Sequence, residues 1–259
     1  MQSFDLWQGD EQNTTRIEWY EPEEKKSNSA VIIFPGGAYT HLAKHEGQGY
    51  AEAFNEIGIT AFVVYYRVVP NRFPLQLLDA RRAVRFVRAN AEKFGVDKDK
   101  ICAMGSSAGG HLTALLSTYT KDLAGECNDE IDQISYMPNG QILGYPAISS
   151  DENIAHPGCF RNLLGDDNAD WKSYDPALLA HENTPKAFVW HTASDPGVKV
   201  LNSYAYATAL YNKGIPCEMH VFPYGGHGLG LADGQPHSQP HVAQWFSLLK
   251  NWLILHEFL

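Results

Sequence analysis

Cysteine is scarce in this sequence, and the few cysteines do not form pairs. Four cysteines occur among 259 residues, with no Cys-x-x-Cys spacing. Small disulfide-bonded proteins and structural zinc sites both need closely spaced cysteines, so the pattern argues against either class. Free thiols in a reducing compartment fit the pattern better, and we therefore expect a cytoplasmic protein.

Long apolar runs and excess positive charge are also missing. No apolar stretch approaches the roughly 20 residues that a membrane helix needs, and the N-terminus has no basic segment followed by an apolar run. We expect neither a membrane span nor a secretory signal. Lysine and arginine total 20 against 30 acidic residues, giving a net charge of -10. A surface of that sign repels polyphosphate, so nucleic acid is not an expected partner.

Apolar segments of strand length alternate with amphipathic helical segments. Strands are predicted over residues 30–34, 59–66, 101–104, 141–145, 187–191 and 217–222. Helices are predicted over residues 48–57, 75–94, 108–119, 200–213 and 241–258. Most strand candidates are apolar on both faces, which is typical of a parallel sheet covered on both sides. We therefore predict a doubly wound, mostly parallel α/β sheet in a single domain over residues 1–259.

Several segments extend this simple pattern. Residues 15–20 predict an early antiparallel edge strand, and residues 121–139 are polar and are interpreted as a surface excursion. In the helix predicted over residues 75–94, Arg81, Arg85 and Arg88 fall mostly on the side away from the apolar stripe. Residues 148–185 are long and weakly periodic. Such a stretch inside a compact domain is usually functional, and we interpret it as a partial lid.

The most specific motif is Gly105-Ser106-Ser107-Ala108-Gly109, which follows a predicted strand and opens a predicted helix. A nucleophile at such a turn has a strained backbone and needs small residues two positions to either side. The helix N-terminus then directs amide groups toward developing negative charge. We predict that Ser107 is the nucleophile. The alternative is that Ser107, or Ser106, only caps the helix.

A second glycine-rich turn, Pro35-Gly36-Gly37-Ala38-Tyr39, follows the strand predicted over residues 30–34. Glycines allow the backbone to approach a substrate oxygen closely. We predict that the amides of Gly37, Ala38 and Ala108 form an oxyanion hole. The alternative is an ordinary Pro-Gly turn.

The candidate base is His227, which lies in a glycine-rich loop after the last predicted strand. A serine hydroxyl is a weak nucleophile until a base accepts its proton. His111 and His191 are interpreted as packing histidines, whereas His41 and His45 lie near the glycine turn and could touch substrate. The spacing of His237 and His241 is interrupted by Pro240, so no metal site is expected.

The candidate acid is Asp195, which follows the strand predicted over residues 187–191. Its carboxylate would orient the imidazole and stabilise its protonated form. Asp195 or Ser194 could instead cap the next helix. Asp166, Asp167 and Asp170 are competing carboxylates in the irregular segment. A site of this kind needs no cofactor, and none is expected.

These motifs, taken together, resemble those of the acetyl esterase and lipase group of α/β-hydrolases, in particular a bacterial sugar-esterase branch with some members labelled xylanase-like. The shared blocks are Phe34-Pro35-Gly36-Gly37, Val64-Tyr65-Tyr66-Arg67, residues 104–111, Leu143-Gly144-Tyr145-Pro146, residues 191–195 and residues 225–229. The resemblance covers about residues 29–258 and implies an α/β-hydrolase fold with Ser107, Asp195 and His227 as nucleophile, acid and base. Pro35 and Ala38 stand where many relatives have histidine and a third glycine.

The resemblance further implies a serine carboxylesterase that removes short acyl groups, acetyl first among them, from a sugar or xylo-oligosaccharide. A kynurenine-formamidase-like amidase, a serine peptidase of the same fold and a non-catalytic binding module are the alternatives. We expect Tyr39 and Trp190 to bind substrate by lining a small acyl pocket; otherwise both are core residues. The sequence leaves open whether the chain forms a homo-oligomer.

Overall fold

Eight strands form one central sheet. The computed structural model describes residues 1–7, 15–125, 129–165, 170–234 and 238–259. The strands are β1 (Gln2–Asp5), β2 (Arg16–Tyr20), β3 (Ala30–Phe34), β4 (Thr60–Tyr65), β5 (Ile101–Ser106), β6 (Gly140–Gly144), β7 (Ala187–Thr192) and β8 (Cys217–Phe222). They lie in the order β1-β2-β4-β3-β5-β6-β7-β8. Pairing is parallel throughout β4 to β8 and antiparallel at β1 and β2, which confirms the predicted mostly parallel sheet.

Helices cover both faces of the sheet. They are α1 (Gln48–Glu56), α2 (Leu75–Ala89), α3 (Ala91–Phe94), α4 (Ala108–Thr118), α5 (Pro157–Leu164), α6 (Pro176–Leu179), α7 (Leu201–Asn212), α8 (Pro240–Ala243) and α9 (Trp245–Leu255), with short 3-10 helices at Lys44–Glu46 and Trp171–Tyr174. Along β3, Ile32 and Phe34 join the apolar cluster formed with α2 and α4. Val31 and Ile33 join the opposite cluster, formed with α1 and α9. Both faces of the strand are therefore buried, which explains its continuous apolar sequence.

The edge of the sheet differs from the prediction. The predicted early strand corresponds to β2, but β2 is not the edge, because β1 pairs with its outer side. The helix predicted over residues 75–94 is divided at Asn90, whose side-chain amide donates to the carbonyl of Phe86 at 2.8 Å. The helix predicted over residues 241–258 is likewise divided, at Gln244.

The arginines of α2 also depart from the prediction. Arg81 is 2% exposed and Arg85 is 7% exposed, so neither lies on a solvated face. The described residues of the segment 121–139, predicted to be a surface excursion, pack along α2 and supply acceptors to these guanidinium groups. The acceptors include the carbonyls of Lys121 for Arg81, Ile134 for Arg85 and Met137 for Arg88, and the carboxylates of Asp129 and Asp132 for Arg82.

The segment predicted to be a lid, residues 148–185, carries α5, the 3-10 helix Trp171–Tyr174 and α6. Its described part packs beside α4, where Phe160 contacts the ring of His111 edge-on at 5.3 Å between centroids. Trp171 stacks on Phe160 at 5.1 Å. Whether this segment acts as a lid stays a prediction. Within the described ranges, no helix combines the length and apolarity needed to span a membrane.

Candidate active site

Ser107 lies at a sharp turn between β5 and α4. Its backbone has φ 54° and ψ -120°, a conformation that non-glycine residues rarely adopt and that costs roughly 1–3 kcal/mol. Two hydrogen bonds hold it there: the amide of Ser107 donates to the carbonyl of Gly144 at 2.9 Å, and its carbonyl accepts from the amide of Ala147 at 3.2 Å. The loop after β6 therefore stabilises the strained residue.

The two glycines of the motif are required by close packing. A Cβ on Gly105 would lie 2.1 Å from the carbonyl oxygen of Gly109, and a Cβ on Gly109 would lie 1.9 Å from the carbonyl oxygen of Phe34. Both separations are far below van der Waals contact. Any larger residue would therefore push α4 away from the end of β3 and displace Ser107.

Three predicted residues meet in one hydrogen-bonded chain. Oγ of Ser107 lies 2.8 Å from Nε2 of His227, and Nδ1 of His227 lies 2.8 Å from Oδ2 of Asp195. With the proton of a neutral imidazole on Nδ1, His227 donates to Asp195 and accepts from the hydroxyl of Ser107. The three side chains come from the loops after β5, β7 and β8. This arrangement allows the serine proton to pass to the imidazole during nucleophilic attack.

The carboxylate of Asp195 is buried and fully hydrogen-bonded. Oδ1 accepts from the amides of Gly197 at 2.8 Å and Val198 at 2.9 Å. Oδ2 also lies 3.3 Å from Nε2 of His191. Burial opposes ionisation, but the hydrogen bonds from His191 and His227 outweigh it and hold the pKa of Asp195 well below its ordinary value. The group is therefore an anion that can stabilise a protonated His227.

His191 is a core histidine, as predicted, but it also contacts the acid. Its side chain is fully buried, and Nδ1 lies 2.7 Å from Oγ of Ser203. Nε2 lies 2.9 Å from the carbonyl of Val198 as well as 3.3 Å from Asp195. A proton on Nε2 satisfies both acceptors, and Nδ1 then accepts from the hydroxyl of Ser203.

The glycine turn, residues 35–39, lies directly against the nucleophile. A Cβ on Gly36 would lie 3.1 Å from Cβ of Ser107. Gly37 and Ala38 have φ values of +126° and +52°, so the turn uses conformations that favour glycine. The side-chain amide of Asn162, on α5, donates to the carbonyl of Ala38 at 2.8 Å and fixes the second half of the turn.

Ala108 is the first residue of α4, and its amide points out of the helix N-terminus because it precedes the first intrahelical hydrogen bond. The structure thus brings the turn with Gly37 and Ala38 and the start of α4 to the same side of Ser107. Their role as oxyanion donors stays a prediction, with a geometry that suits it.

The predicted substrate contacts of Tyr39 and Trp190 are wrong. Both side chains are fully buried. The hydroxyl of Tyr39 lies 2.8 Å from Nδ1 of His111, and the ring of Trp190 stacks on that of Trp245 at 4.8 Å. Both belong to the core because their rings pack against interior side chains, so neither can line an acyl pocket.

The competing candidates lie elsewhere. Ser106 is fully buried, with Oγ 2.8 Å from the hydroxyl of Tyr50, so its side chain points behind the turn. Oδ2 of Asp170 accepts from Ser173 at 2.6 Å and has no contact with His227. Asp166, Asp167 and His237 lie outside the described residues. Across the described ranges, no group of three or more histidine, cysteine, aspartate or glutamate side chains could hold a metal ion.

Three further residues, not predicted from the sequence, lie beside this site. Glu46, 2% exposed, accepts a hydrogen bond from Tyr145, whose ring contacts that of His227 edge-on at 5.1 Å. His156 caps α5, accepting the amide of Cys159 at Nδ1. Burial and, to a lesser extent, His227 lower the pKa of His156. The Gly-Tyr-Pro motif was a signal for Tyr145, but nothing in the local pattern marked Glu46 as buried.

Comparisons with known proteins agree with this architecture. The BD-FAE family profile matches residues 17–210. The chain is 35% identical over 243 residues to endo-1,4-beta-xylanase B of Butyrivibrio fibrisolvens, covering 89% of this chain and 38% of that protein. It is 30% identical over 241 residues to an acetylxylan esterase of Xylanibacter ruminicola, covering 89% of this chain and 46% of that protein. The chain thus spans less than half the length of these two relatives.

Solved structures show the same fold over the whole chain. An acetyl ester-xyloside bifunctional hydrolase from Caldicellulosiruptor lactoaceticus superposes with a TM-score of 0.91 at 35% identity, covering 100% of this chain and 97% of that one. A thermophilic esterase from Thermogutta terrifontis, solved with propionate bound, gives a TM-score of 0.83 at 25% identity, with 100% and 95% coverage. The α/β-hydrolase fold predicted from the sequence is confirmed. The chain belongs to the BD-FAE family, within the acetyl esterase group of α/β-hydrolases.

Proposed function

We propose that this chain is a serine carboxylesterase that removes short acyl groups, acetyl in particular, from carbohydrate esters. One observation carries the proposal: the unbroken hydrogen-bond chain from Ser107 through His227 to Asp195, set at a strained turn beside the glycine turn. A serine that only capped a helix would need neither the strain nor the imidazole.

The reaction proceeds in two halves. Nε2 of His227 takes the hydroxyl proton of Ser107 while Oγ attacks the ester carbonyl. The amides of Gly37, Ala38 and Ala108 donate hydrogen bonds to the carbonyl oxygen as it becomes negatively charged. The imidazolium then gives its proton to the leaving alcohol, and the acyl group remains on Ser107. Water, deprotonated by His227, attacks the acyl-enzyme, and the carboxylic acid and the free serine are released.

Support for a carbohydrate ester comes from relatives that cover most of this chain. One is an acetylxylan esterase, and another is an acetyl ester-xyloside hydrolase of nearly equal length. Structures of the Thermogutta terrifontis esterase hold propionate or butyrate, which are small acids of the kind that an acyl-enzyme releases. The amidase alternative has no observation in its favour.

The proposal is tested by measuring acetate release from acetylated xylo-oligosaccharides and turnover of p-nitrophenyl acetate. We expect the unaltered protein to cleave both, and Ser107→Ala to lose about 10⁴-fold or more of kcat because no other group can form the acyl-enzyme. Ser106→Ala is the matched control and should stay within about tenfold of the unaltered protein. A Ser107→Ala protein that keeps most of the activity would refute the assignment, and faster cleavage of an anilide than of the ester would favour an amidase.

One finer prediction accompanies the proposal. The cytoplasmic location expected from the sequence can be checked by cell fractionation. The oligomeric state, which the sequence leaves open, can be measured by size-exclusion chromatography with light scattering.

A further inference from the structure

We propose that Glu46 is a positioning residue. It fixes the position of the glycine turn relative to the loop that carries His227 (residues 224–230, the His227 loop). This inference rests on the proposed function. Glu46 is a buried carboxylate with no role of its own in the acyl transfer. Glu46 is 2% exposed, and its one ionic contact among the described residues is with Nε2 of His45, at 3.8 Å. A buried carboxylate is costly unless its oxygens accept hydrogen bonds, so its partners indicate its role.

The first partner is the glycine turn. Oε2 of Glu46 accepts from the amide of Gly36 at 2.8 Å. A Cβ on Gly36 would lie 2.5 Å from this oxygen, 2.6 Å from the carbonyl oxygen of Ser106 and 3.1 Å from Cβ of Ser107. Gly36 is therefore enclosed between the carboxylate and the nucleophile, with no space on either side. A shift of Glu46 would move the turn relative to Ser107.

The second partner leads to the His227 loop. Oε1 of Glu46 accepts from the hydroxyl of Tyr145 at 2.7 Å, and the same hydroxyl oxygen accepts from the amide of Gly230 at 2.9 Å. The ring of Tyr145 contacts that of His227 edge-on, with centroids 5.1 Å apart. One carboxylate thus connects the turn that would supply oxyanion donors to the loop that supplies the base.

His45, next to Glu46, adds a link to the same loop. Its Nε2 lies 2.9 Å from the carbonyl oxygen of Gly228. The short 3-10 helix Lys44–Glu46 therefore contacts the glycine turn through Glu46 and the His227 loop directly through His45. Glu46 reaches the same loop by way of Tyr145. These contacts place the segment between the two halves of the catalytic apparatus.

The directions of the hydrogen bonds require a carboxylate. Burial and then the charge of Glu46 raise the pKa of the Tyr145 hydroxyl well above its ordinary value, so Tyr145 stays protonated and donates. The amide of Gly36 can only donate. Two donors thus face the two oxygens of Glu46, whereas glutamine offers one acceptor and one donor group. Glu46→Gln must therefore lose or reverse one connection while it keeps nearly the same shape.

The test compares Glu46→Gln with Glu52→Gln. Glu52 is exposed on α1, so its replacement removes the same charge away from the site. We expect kcat of Glu46→Gln on acetyl esters to fall about 10- to 100-fold, because a small displacement of the donors weakens transition-state stabilisation more than substrate binding. KM should change less than about threefold, and Glu52→Gln should match the unaltered protein in both constants.

A second measurement separates positioning from general loss of structure. A trifluoromethyl ketone forms a tetrahedral adduct with the serine whose oxyanion mimics the transition state. Its inhibition constant should rise in parallel with the loss of kcat/KM in Glu46→Gln, at unchanged circular dichroism. An unchanged kcat, or a rise in KM alone, would overturn the proposal.

Tyr145→Phe keeps the test decisive if Glu46→Gln fails to fold. This variant removes the connection to the His227 loop, together with the contact between the hydroxyls of Tyr145 and Tyr50 at 3.3 Å, and should also lower kcat more than it raises KM. A Tyr145→Phe protein with full kcat would overturn the proposed connection. Turnover by the unaltered protein, lost in Ser107→Ala, reports on the proposed function separately, because the Glu46 result is a ratio to that turnover.

Discussion

The buried carboxylate of Asp195 determines what His227 can do. It accepts four hydrogen-bonding contacts, two from backbone amides and two from imidazoles, and these hold its pKa well below the ordinary value. Asp195 therefore stays ionised through the pH range in which a hydrolase works. Any pH dependence of turnover in that range must arise from another group, and His227 is the group that must be neutral to accept the serine proton.

We predict that turnover requires the neutral imidazole of His227, since a protonated imidazole cannot accept the serine proton. In Asp195→Asn the side-chain amide no longer fixes Nδ1–H of His227, and kcat should fall on the order of 10³- to 10⁴-fold. The measurement is a pH profile of p-nitrophenyl acetate turnover for both proteins. Asp99→Asn, at the opposite end of β5 and exposed, is the matched control and should show an unchanged profile. Full activity in Asp195→Asn would instead assign the orienting role to another carboxylate.

For single residues, the sequence indicated the candidate catalytic groups better than it indicated the side chains that surround them. Ser107 could be predicted as a candidate because Gly105 and Gly109 leave no room for a Cβ, and that requirement is visible in the local sequence. His227 could be predicted as a candidate because its loop contains Gly225 and Gly228, which have φ values of +154° and +69°. Tyr39 and Trp190 were misplaced because a residue near the site in sequence can point into the core. Glu46 was missed because its partners, Gly36 and Tyr145, come together only in the folded chain.

Among the elements, α4 connects the site to the rest of the fold. It begins just after Ser107 and carries His111, whose Nδ1 lies 2.8 Å from the hydroxyl of Tyr39. Nε2 of His111 lies 2.9 Å from the carbonyl of Tyr174, in the segment of residues 148–185. A neutral imidazole with its proton on Nε2 satisfies both partners. One helix thus joins the glycine turn to that segment.

This connection predicts a loss of stability in mild acid. Burial lowers the pKa of His111 to about 4 in the folded protein, whereas the pKa of a histidine in an unfolded chain is about 6.5. Between these values the unfolded chain binds a proton that the folded chain does not, so stability falls as the pH falls. The loss should be on the order of 3 kcal/mol. Carboxylates with lowered pKa values, such as Asp195, contribute only at lower pH.

Urea unfolding at a series of pH values between about 7.5 and about 4.5 measures this loss. His111→Gln should be less stable at neutral pH and should have a smaller slope, because glutamine does not titrate. The slope that remains comes from groups such as His156 and His256, whose pKa values burial also lowers. His41→Gln, at an exposed position, should keep the slope of the unaltered protein. An identical slope in His111→Gln would show that other groups cause the acid sensitivity.

Most strands and helices were predicted to within a few residues, and the misses lie where the local sequence gives no apolar pattern. Strand β3 matches its predicted bounds because its residues are buried on both sides. Strand β1 was missed because it is short and mostly exposed, so its sequence has no apolar pattern. Arg81 and Arg85 were placed on the side away from the apolar stripe, but their burial was not predicted, because periodicity does not show which backbone carbonyls accept from a guanidinium.

For the whole molecule, the acyl preference depends on how the chain closes around the site. Because Tyr39 and Trp190 belong to the core, the acyl side must be bounded by other parts of the chain. Helix α5 lies beside the site, since Asn162 donates to the carbonyl of Ala38 and His156, the cap of α5, lies within electrostatic range of His227. The segment of residues 148–185 is therefore our proposed limit on substrate size.

We predict a graded preference, with kcat/KM falling from acetyl to butyryl and again to octanoyl esters. Apolar pockets discriminate by about 1–3 kcal/mol per methylene at most, so the decline should be gradual. A series of p-nitrophenyl esters measured below saturation tests this, with spontaneous hydrolysis of each ester as the control. Octanoyl esters cleaved as fast as acetyl esters would contradict the prediction and indicate an open acyl site.

The position of β6 has a consequence for chimeras in which a segment of this chain is replaced with that of a related protein. This strand lies between β5, which leads to Ser107, and β7, which leads to Asp195, yet its own following segment supplies neither catalytic group. Residues 148–185 thus lie within the connection between two neighbouring strands of the sheet, β6 and β7. A chimera that replaces only this stretch with that of a relative should inherit the donor's choice of ester while keeping the host's catalytic groups.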